Sequence, residues 1–200
     1  SAYGITEGNK RSFGEAMIPS YDFSKAKTIV SVGADFLGTW ISPIEFSKQY
    51  AQTRKINEHH REMSRHYQFE SNLSLTGANA DYRTPIKPSQ VGPLVAAMYN
   101  AIAAKAGQPK VSGGSVSADH LNAAANELWA NRGQSLLVCG SNDPAVQVLV
   151  NGINSMLGNY GTTINANAPV HYRQGDDMAM ANLAKDLNAG RIAGLIFFNC

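Results

Sequence analysis

Two hundred residues, 44% of them hydrophobic and 16% charged, fall in the ordinary globular range and suffice for one large domain or two small ones, each with a real core. With 17 basic and 15 acidic residues the formal charge is +2 and no polybasic block forms, which argues against nucleic acid and against an electrostatic hold on lipid. No apolar stretch approaches the ~20 residues that span a bilayer, and neither Gly-x-Gly-x-x-Gly nor Gly-x-x-x-x-Gly-Lys-[Ser/Thr] occurs, which disfavours two common nucleotide-binding designs.

In chain order, the first element is the unbroken apolar run Thr28–Val32, which ends in the polar crest Gly33-Ala34-Asp35. Such runs suit strands buried on both faces of a parallel sheet, and open α/β sheets bind ligands at the carboxyl ends of their strands. Gly33 and Gly38 stand five apart after this strand, a spacing that serves either a close backbone approach to a ligand or a simple strand-to-loop turn. Ser42-Pro43-Ile44-Glu45 has the form of a capping box with proline at the first helical position, predicting a helix to about Glu58. Between His66 and Ser71, Tyr67 and Phe69 alternate with polar residues as in a strand. The irregular stretch Ser74–Gln90 is long enough to be a ligand-side loop or a partner contact.

Pro93 opens a helix with Leu94, Ala97, Met98, Ala101 and Ile102 on one face, stopped by Gly107. The Gly/Ser/Pro-rich stretch 107–116 reads as a linker that does not pack. A helix from Ser117 carries Leu121, Ala124, Ala125, Leu128 and Trp129 and ends before Gly133. The second apolar run, Ser135–Cys139, meets the crest Gly140-Ser141-Asn142-Asp143. Asp143-Pro144 then starts a helix facing inward through Val146, Leu149, Val150, Ile153 and Leu157. That helix start at a sheet crest offers N–H donors to an anion, but the Asp143 carboxylate is better used as its cap. The last helix begins near Asp176-Asp177 and stops at Gly190, before a third apolar run, Leu195–Phe198, whose crest is Asn199-Cys200. Nothing after it crosses back over a sheet, so the chain reads as a segment of something larger.

The expected fold is therefore α/β: two Rossmann-like, three-layer lobes with mostly parallel sheets, one over 1–106 and one over 117–200, joined by the 107–116 linker, the second lobe being truncated. Cys139 and Cys200 end buried strands 61 positions apart and read as core thiols, since cluster and zinc sites draw on close-spaced cysteine pairs. His59, Glu62 and His66 would share a face if the second helix ran on, but no His-Glu-x-x-His order is present, and a solvated histidine-rich face is the ordinary reading. No Gly-x-Ser-x-Gly elbow or cysteine–base pairing suggests a nucleophile. Tyr67, Phe69, Tyr82 and Arg83 suit a partner surface or local core equally.

The crests carry a resemblance. Val32-Gly33-Ala34-Asp35, the acidic Glu70-Ser71, the approach Asp81–Gln90, Val138–Asn142 and Asn154-Ser155-Met156-Leu157-Gly158-Asn159-Tyr160-Gly161 resemble, in order, segments of the molybdopterin oxidoreductase superfamily. Tyr21–Ala26, Asp35–Trp40 and Ser74–Arg83 look more closely like the iron–sulfur (molybdoenzyme-like) subunits of bacterial alternative complex III, a quinol-oxidising electron-transport complex. The resemblance implies a scaffold without pterin, iron–sulfur clusters elsewhere in the parent, other subunits of a membrane-bound respiratory complex as partners, and a place on the periplasmic side of the bacterial inner membrane. It also implies a cofactor face, working or vestigial, at Gly33, Ala34, Asp35, Glu70, Gly140, Ser141, Asn142 and Asn199, with no catalytic residue and no metal ligand in this segment. Cofactor-binding relatives have Pro-Gly-Thr-Asp where this chain has Pro88-Ser89-Gln90-Val91, which removes a carboxylate suited to a guanine edge and favours the vestigial reading. The alternatives are a catalytic molybdenum or tungsten oxidoreductase with molybdopterin guanine dinucleotide across the same crests, and a generic nucleotide-binding α/β protein.

Overall fold

The apolar runs 28–32 and 135–139 do become strands, but strands of one sheet. The structure, a computed structural model, describes residues 2–56, 58, 61–171 and 175–197. Its elements are α1 (Tyr3–Phe13), β1 (Ser20–Tyr21), β2 (Thr28–Val32), α2 (Pro43–Arg54), β3 (Arg65–Glu70), α3 (Leu75–Ala78), β4 (Tyr82–Pro85), α4 (Val91–Ala106), α5 (Leu121–Ala130), β5 (Ser135–Cys139), α6 (Pro144–Met156), β6 (Ile164–Asn165) and α7 (Asp177–Asn188). β4, β3, β2 and β5 form an all-parallel sheet in that order, with Val30 opposite both Tyr67 and Leu137. β1 and β6 pair antiparallel beside it. Helices cover both faces, giving the expected Rossmann-like α/β fold.

One face is dry. Val30, Val32, Tyr67, Phe69, Leu137 and Cys139 pack there against Leu94, Met98 and Ile102 of α4, Leu128 of α5 and Ile153 of α6. On the other face Ile29, Leu136 and Val138 meet Phe23, Phe36 and the α2 residues Phe46 and Tyr50. Here β3 differs from its neighbours, presenting His66, Gln68 and Glu70, all buried. The alternation seen around Tyr67 and Phe69 is thus a true strand signal, but its polar half faces a helix layer and not water.

The separate parallel sheet expected for a second lobe does not form. β5, expected in a second lobe, hydrogen-bonds along the whole of β2, so the division at 107–116 is corrected. The linker also packs: the Asn100 side-chain amide donates to the Val111 carbonyl (2.9 Å) and accepts from its N–H (2.8 Å), and Gly114 lies directly on the Ala97 backbone. A side-chain amide repeats the donor and acceptor of a peptide group, so it can hold a passing strand.

The same device closes the sheet at β5. Asn154 accepts from Leu137 N–H (3.2 Å) and donates to its carbonyl (2.8 Å), Thr163 donates to Ser135 O (2.7 Å) and Gln147 to Cys139 O (2.9 Å). These groups fill the positions a fifth strand would take. The third expected strand, Leu195–Phe198, accordingly has no free edge there. Residues 195–197 form no strand, Ile196 is 92% exposed and Phe197 77% exposed, and α7 buries none of its residues. Phe198, Asn199 and Cys200 lie outside the described residues.

Helix ends follow their signals with some exceptions. Gly107 adopts the left-handed stop (φ 66°), and Asp143 and Asp176 cap α6 and α7 by accepting from Ala145 and Ala179 N–H. Ser42 makes no side-chain cap bond, and α2 stops at Arg54 rather than running to Glu58. α5 begins at Leu121, four residues after the expected Ser117, because His120 just before it is left-handed (φ 66°). α1 had no sequence signal. It docks on α6 through Gly4 and Gly8, where any side chain would strike the Asn142 backbone or the Gln147 side chain.

Candidate functional site at the carboxyl ends of the strands

Parallel strands end together, so the two crests meet. Gly33 (φ 64°) donates to Phe69 O and Gly140 to Val32 O, and the Gly140 Cα passes so close to the Gly33 carbonyl that a Cβ has no room. Around them lie two hollows. One, of about 310 Å³, is lined by Gly33, Asp35, Gly140, Ser141 and Asn142 and walled by Ala2 and Ile5 at the start of α1. The other, of about 440 Å³, is lined by Val32, Gly33, Asp35, Glu70, Ser71, Asn72, Ser74, Pro88, Val91, Gly140 and Ser141.

Six of the eight expected site residues therefore share one crest: Gly33, Asp35, Glu70, Gly140, Ser141 and Asn142. Ala34 is fully buried in the α2-side core, which removes it from any ligand surface. Asn199 lies outside the described residues.

The polar groups gathered here are bound by the chain itself. Asp35 Oδ1 accepts from Thr76 N–H (3.1 Å) and Oγ1 (2.8 Å), and its Oδ2 from Thr39 Oγ1 (3.2 Å). Glu70 Oε1 accepts from Arg83 Nε (2.6 Å) and Ser74 N–H (3.2 Å), while Oε2 accepts from Ser74 Oγ (2.5 Å) and Gln68 Nε2 (3.0 Å). Burial pushes the Glu70 carboxyl up, but the Ser74 and Arg83 hydrogen bonds outweigh it and hold the group below the usual carboxylate range. Asn142 spends its carbonyl on Gly4 N–H (2.9 Å) and its amide on Asp177 (2.6 Å), and Ser141 Oγ accepts from Asp143 N–H (3.1 Å).

Behind Glu70 runs a directed chain of hydrogen bonds along the polar side of β3. Gln68 donates to Glu70, so its carbonyl faces His66 Nε2 (3.3 Å), and Tyr50 OH lies 3.1 Å from His66 Nδ1. Burial lowers the His66 pKa to about 4, so the ring is neutral at pH 7. The Gln68 carbonyl then draws the ring proton to Nε2, and the Tyr50 hydroxyl shares its single proton between Nδ1 (3.1 Å) and the Asn79 carbonyl (3.0 Å). At the amino end of the strand, Arg54 grips Asp81 through two bonds (2.7 and 2.9 Å), and Asp81 also accepts from His66 N–H (2.7 Å). His66 therefore does not join Glu62 on a helix face, and the expected solvated face is corrected at His66, which lies buried on β3. His59 lies outside the described residues.

Asp143 serves as a cap, the bland reading weighed from sequence, and Cys139 is a core thiol pushed up to about 12 by burial. Tyr67 and Phe69 are core, Tyr82 stacks on Tyr67 (5.0 Å), and Arg83 belongs to Glu70. Sequence reading missed Ser74 and Thr76, the donors that occupy both carboxylates, and the α1 wall; the Gly4-x-x-x-Gly8 spacing was the available sign of a close helix contact.

A larger hollow of about 740 Å³ opens at the opposite, amino ends of β2, β3 and β5, lined in part by Lys25, Lys27, Glu62, Arg65 and Glu127. Its charges oppose one another, Arg65 pairing with Glu127 (3.5 Å) and Lys25 with Asp22 (3.2 Å). The carboxyl-end crest remains the candidate site, as the topology of a parallel sheet dictates.

Compared with models of known protein families, the chain matches none, and curated proteins yield no match either. The functional reading therefore rests on the crest. Its two carboxylates face the 440 Å³ hollow, and among the described residues that line it there is no Lys, Arg or His, a poor floor for phosphate or pyrophosphate.

Proposed function

We propose that this chain is a structural part of a molybdopterin oxidoreductase-like subunit in a respiratory, quinol-oxidising electron-transfer complex, retaining the fold of a cofactor-binding enzyme without binding pterin. The observation that carries this reading is the internal use of the crest. Asp35 and Glu70 hold Thr76, Ser74 and Arg83, Asn142 holds Gly4, and the start of α1 stands over the crest where a dinucleotide would lie. A cofactor site keeps such groups open; a scaffold uses them to fix loops. The resemblance supplies the rest: iron–sulfur clusters and quinol chemistry in other parts of the complex, on the periplasmic side of the membrane. Among the described residues no helix is long and apolar enough to cross a membrane.

The test is the native complex, purified from membranes with this chain identified in it by mass spectrometry. Iron with no molybdenum, tungsten or oxidised-pterin fluorescence is the expected result. Near-stoichiometric metal and pterin overturns the scaffold reading and makes the crest a working cofactor face.

A further inference from the structure

The smaller crest hollow, of about 310 Å³, carries a single charge. Asp35 is the only ionisable residue in its lining, and among the described residues no Lys, Arg or His lines it. Asp35 also forms no ion pair among the described residues, since its carboxylate meets only the hydroxyl and amide donors of Thr76 and Thr39. A carboxylate offers about four acceptor sites. Oδ1 uses two on Thr76 and Oδ2 one on Thr39, which leaves a site on Oδ2 open. The carbonyls of Gly33 and Gly140, from the same lining, accept no hydrogen bond among the described residues.

An indole borders the same hollow. Trp40 is backed by Tyr21 (ring centroids 5.1 Å apart) and Phe46 (5.8 Å). The chain fixes indole and carboxylate together: the N–H groups of Gly38, Thr39 and Trp40 all donate to Asp35 O (3.1, 2.8 and 2.8 Å), so the loop winds around the residue that bears the charge. Ala2, Ile5 and Ile41 add an apolar wall. The two helix starts at the edge do not oppose a cation, because Gly4 N–H is spent on Asn142 Oδ1 and Ala145 N–H on the Asp143 carboxylate. A fixed carboxylate with an open acceptor site, an indole and an apolar wall, with no resident cation, complement an ammonium group on a short aliphatic body. The volume lies at the lower end of the small-molecule range, which suits a small amine and not a dinucleotide.

We propose that the 310 Å³ hollow binds a small aliphatic ammonium ion, with Asp35 as its counter-ion and Trp40 beside it. This goes beyond the scaffold reading and does not depend on it, since a crest without pterin leaves the hollow as it is.

The test titrates the full chain with n-butylammonium, followed by saturation transfer to the ligand in NMR, beside butan-1-ol and butyrate as its neutral and anionic counterparts. The expected result is saturable binding of butylammonium at least about tenfold tighter than butan-1-ol, and none of butyrate. Asp35→Asn keeps an acceptor for Thr76 but removes the charge, and should bring butylammonium down to the level of the alcohol. Trp40→Leu should weaken butylammonium about threefold, while Glu45→Gln, a carboxylate outside the hollow, should change nothing. Equal affinity for amine and alcohol, absence of saturation, or a loss in Glu45→Gln as large as in Asp35→Asn overturns the proposal. If Asp35→Asn fails to fold, the two indole N–H resonances of the unaltered chain decide. That of Trp40 must shift with butylammonium while that of Trp129 stays, and a shift of Trp129 alone or of neither overturns the site. A pterin-free native complex with no amine binding sinks the hollow and leaves the scaffold; a pterin-loaded complex with saturable amine binding does the reverse.

Discussion

The two faces of the sheet solve the same packing problem by different chemistry. Toward α4, α5 and α6, every strand offers apolar side chains. Toward α2, β3 offers Tyr50-linked His66, then Gln68, then Glu70, each bonded to the next. The dry face supplies non-directional stabilisation in proportion to buried area. The polar face supplies position: its side chains bond one to the next along the strand, so a one-residue slip of β3 would break the whole ladder and bury Tyr67 and Phe69 on the wrong side.

Substitution on the dry face should give the largest loss. Phe69→Ala, at a fully buried position, is expected to cost about 3–5 kcal/mol in urea unfolding. A smaller loss, close to that of an exposed site, would mean that the two faces do not divide the work in this way.

Acid should attack the polar face next. His66 is lowered to about 4 by burial, against an ordinary value near 6.5 in the unfolded chain. The unfolded state therefore takes up the proton first as pH falls, and stability declines from about pH 6.5 to about pH 4, by roughly 3 kcal/mol. Glu70 and Asp81, both held below their ordinary values by hydrogen bonds that outweigh burial, extend the decline as they protonate at lower pH. His66→Gln should flatten the slope between pH 6.5 and 4 and leave the lower limb in place, as followed by denaturant midpoint at each pH.

Glu70→Gln exchanges a carboxylate acceptor beside Arg83 for an amide, at an expected cost of about 1–3 kcal/mol. Its signature is local: amide hydrogen exchange should rise in residues 71–78 and stay unchanged in α4. The smallest contrast separates two helix starts. Asp143→Ala should cost about 1 kcal/mol because its carboxylate caps Ala145 N–H, whereas Ser42→Ala, with no cap bond to lose, should stay within about 0.5 kcal/mol.

What the sequence made legible was the periodic and the punctuated. β2 and β5 follow from unbroken apolar runs, β3 from alternation, and α4 and α6 from stripes closed by glycine. α1 escaped because its docking uses the absence of side chains at Gly4 and Gly8, which no apolar stripe announces. Leu195–Phe198 misled for the opposite reason: the run has a strand's composition, but composition says nothing of whether a sheet edge is open. At the crest, residue type and place were readable for Asp35 and Glu70. Their use was not, because Thr76 and Ser74 reach them only through the folded loop.

The amide of Asn154 gives that closed edge a single-atom dependence. Its nitrogen donates to Leu137 O and also lies within bonding distance of Val150 O, while its oxygen receives Leu137 N–H and Asn159 Nδ2. Asn154→Asp would exchange that nitrogen for an oxygen, setting like lone pairs against two carbonyls at a buried position. The margin of the sheet thus hangs on one buried amide, and unfolding curves of the Asn154→Asp chain beside the parent would register the loss of stability that this exchange causes.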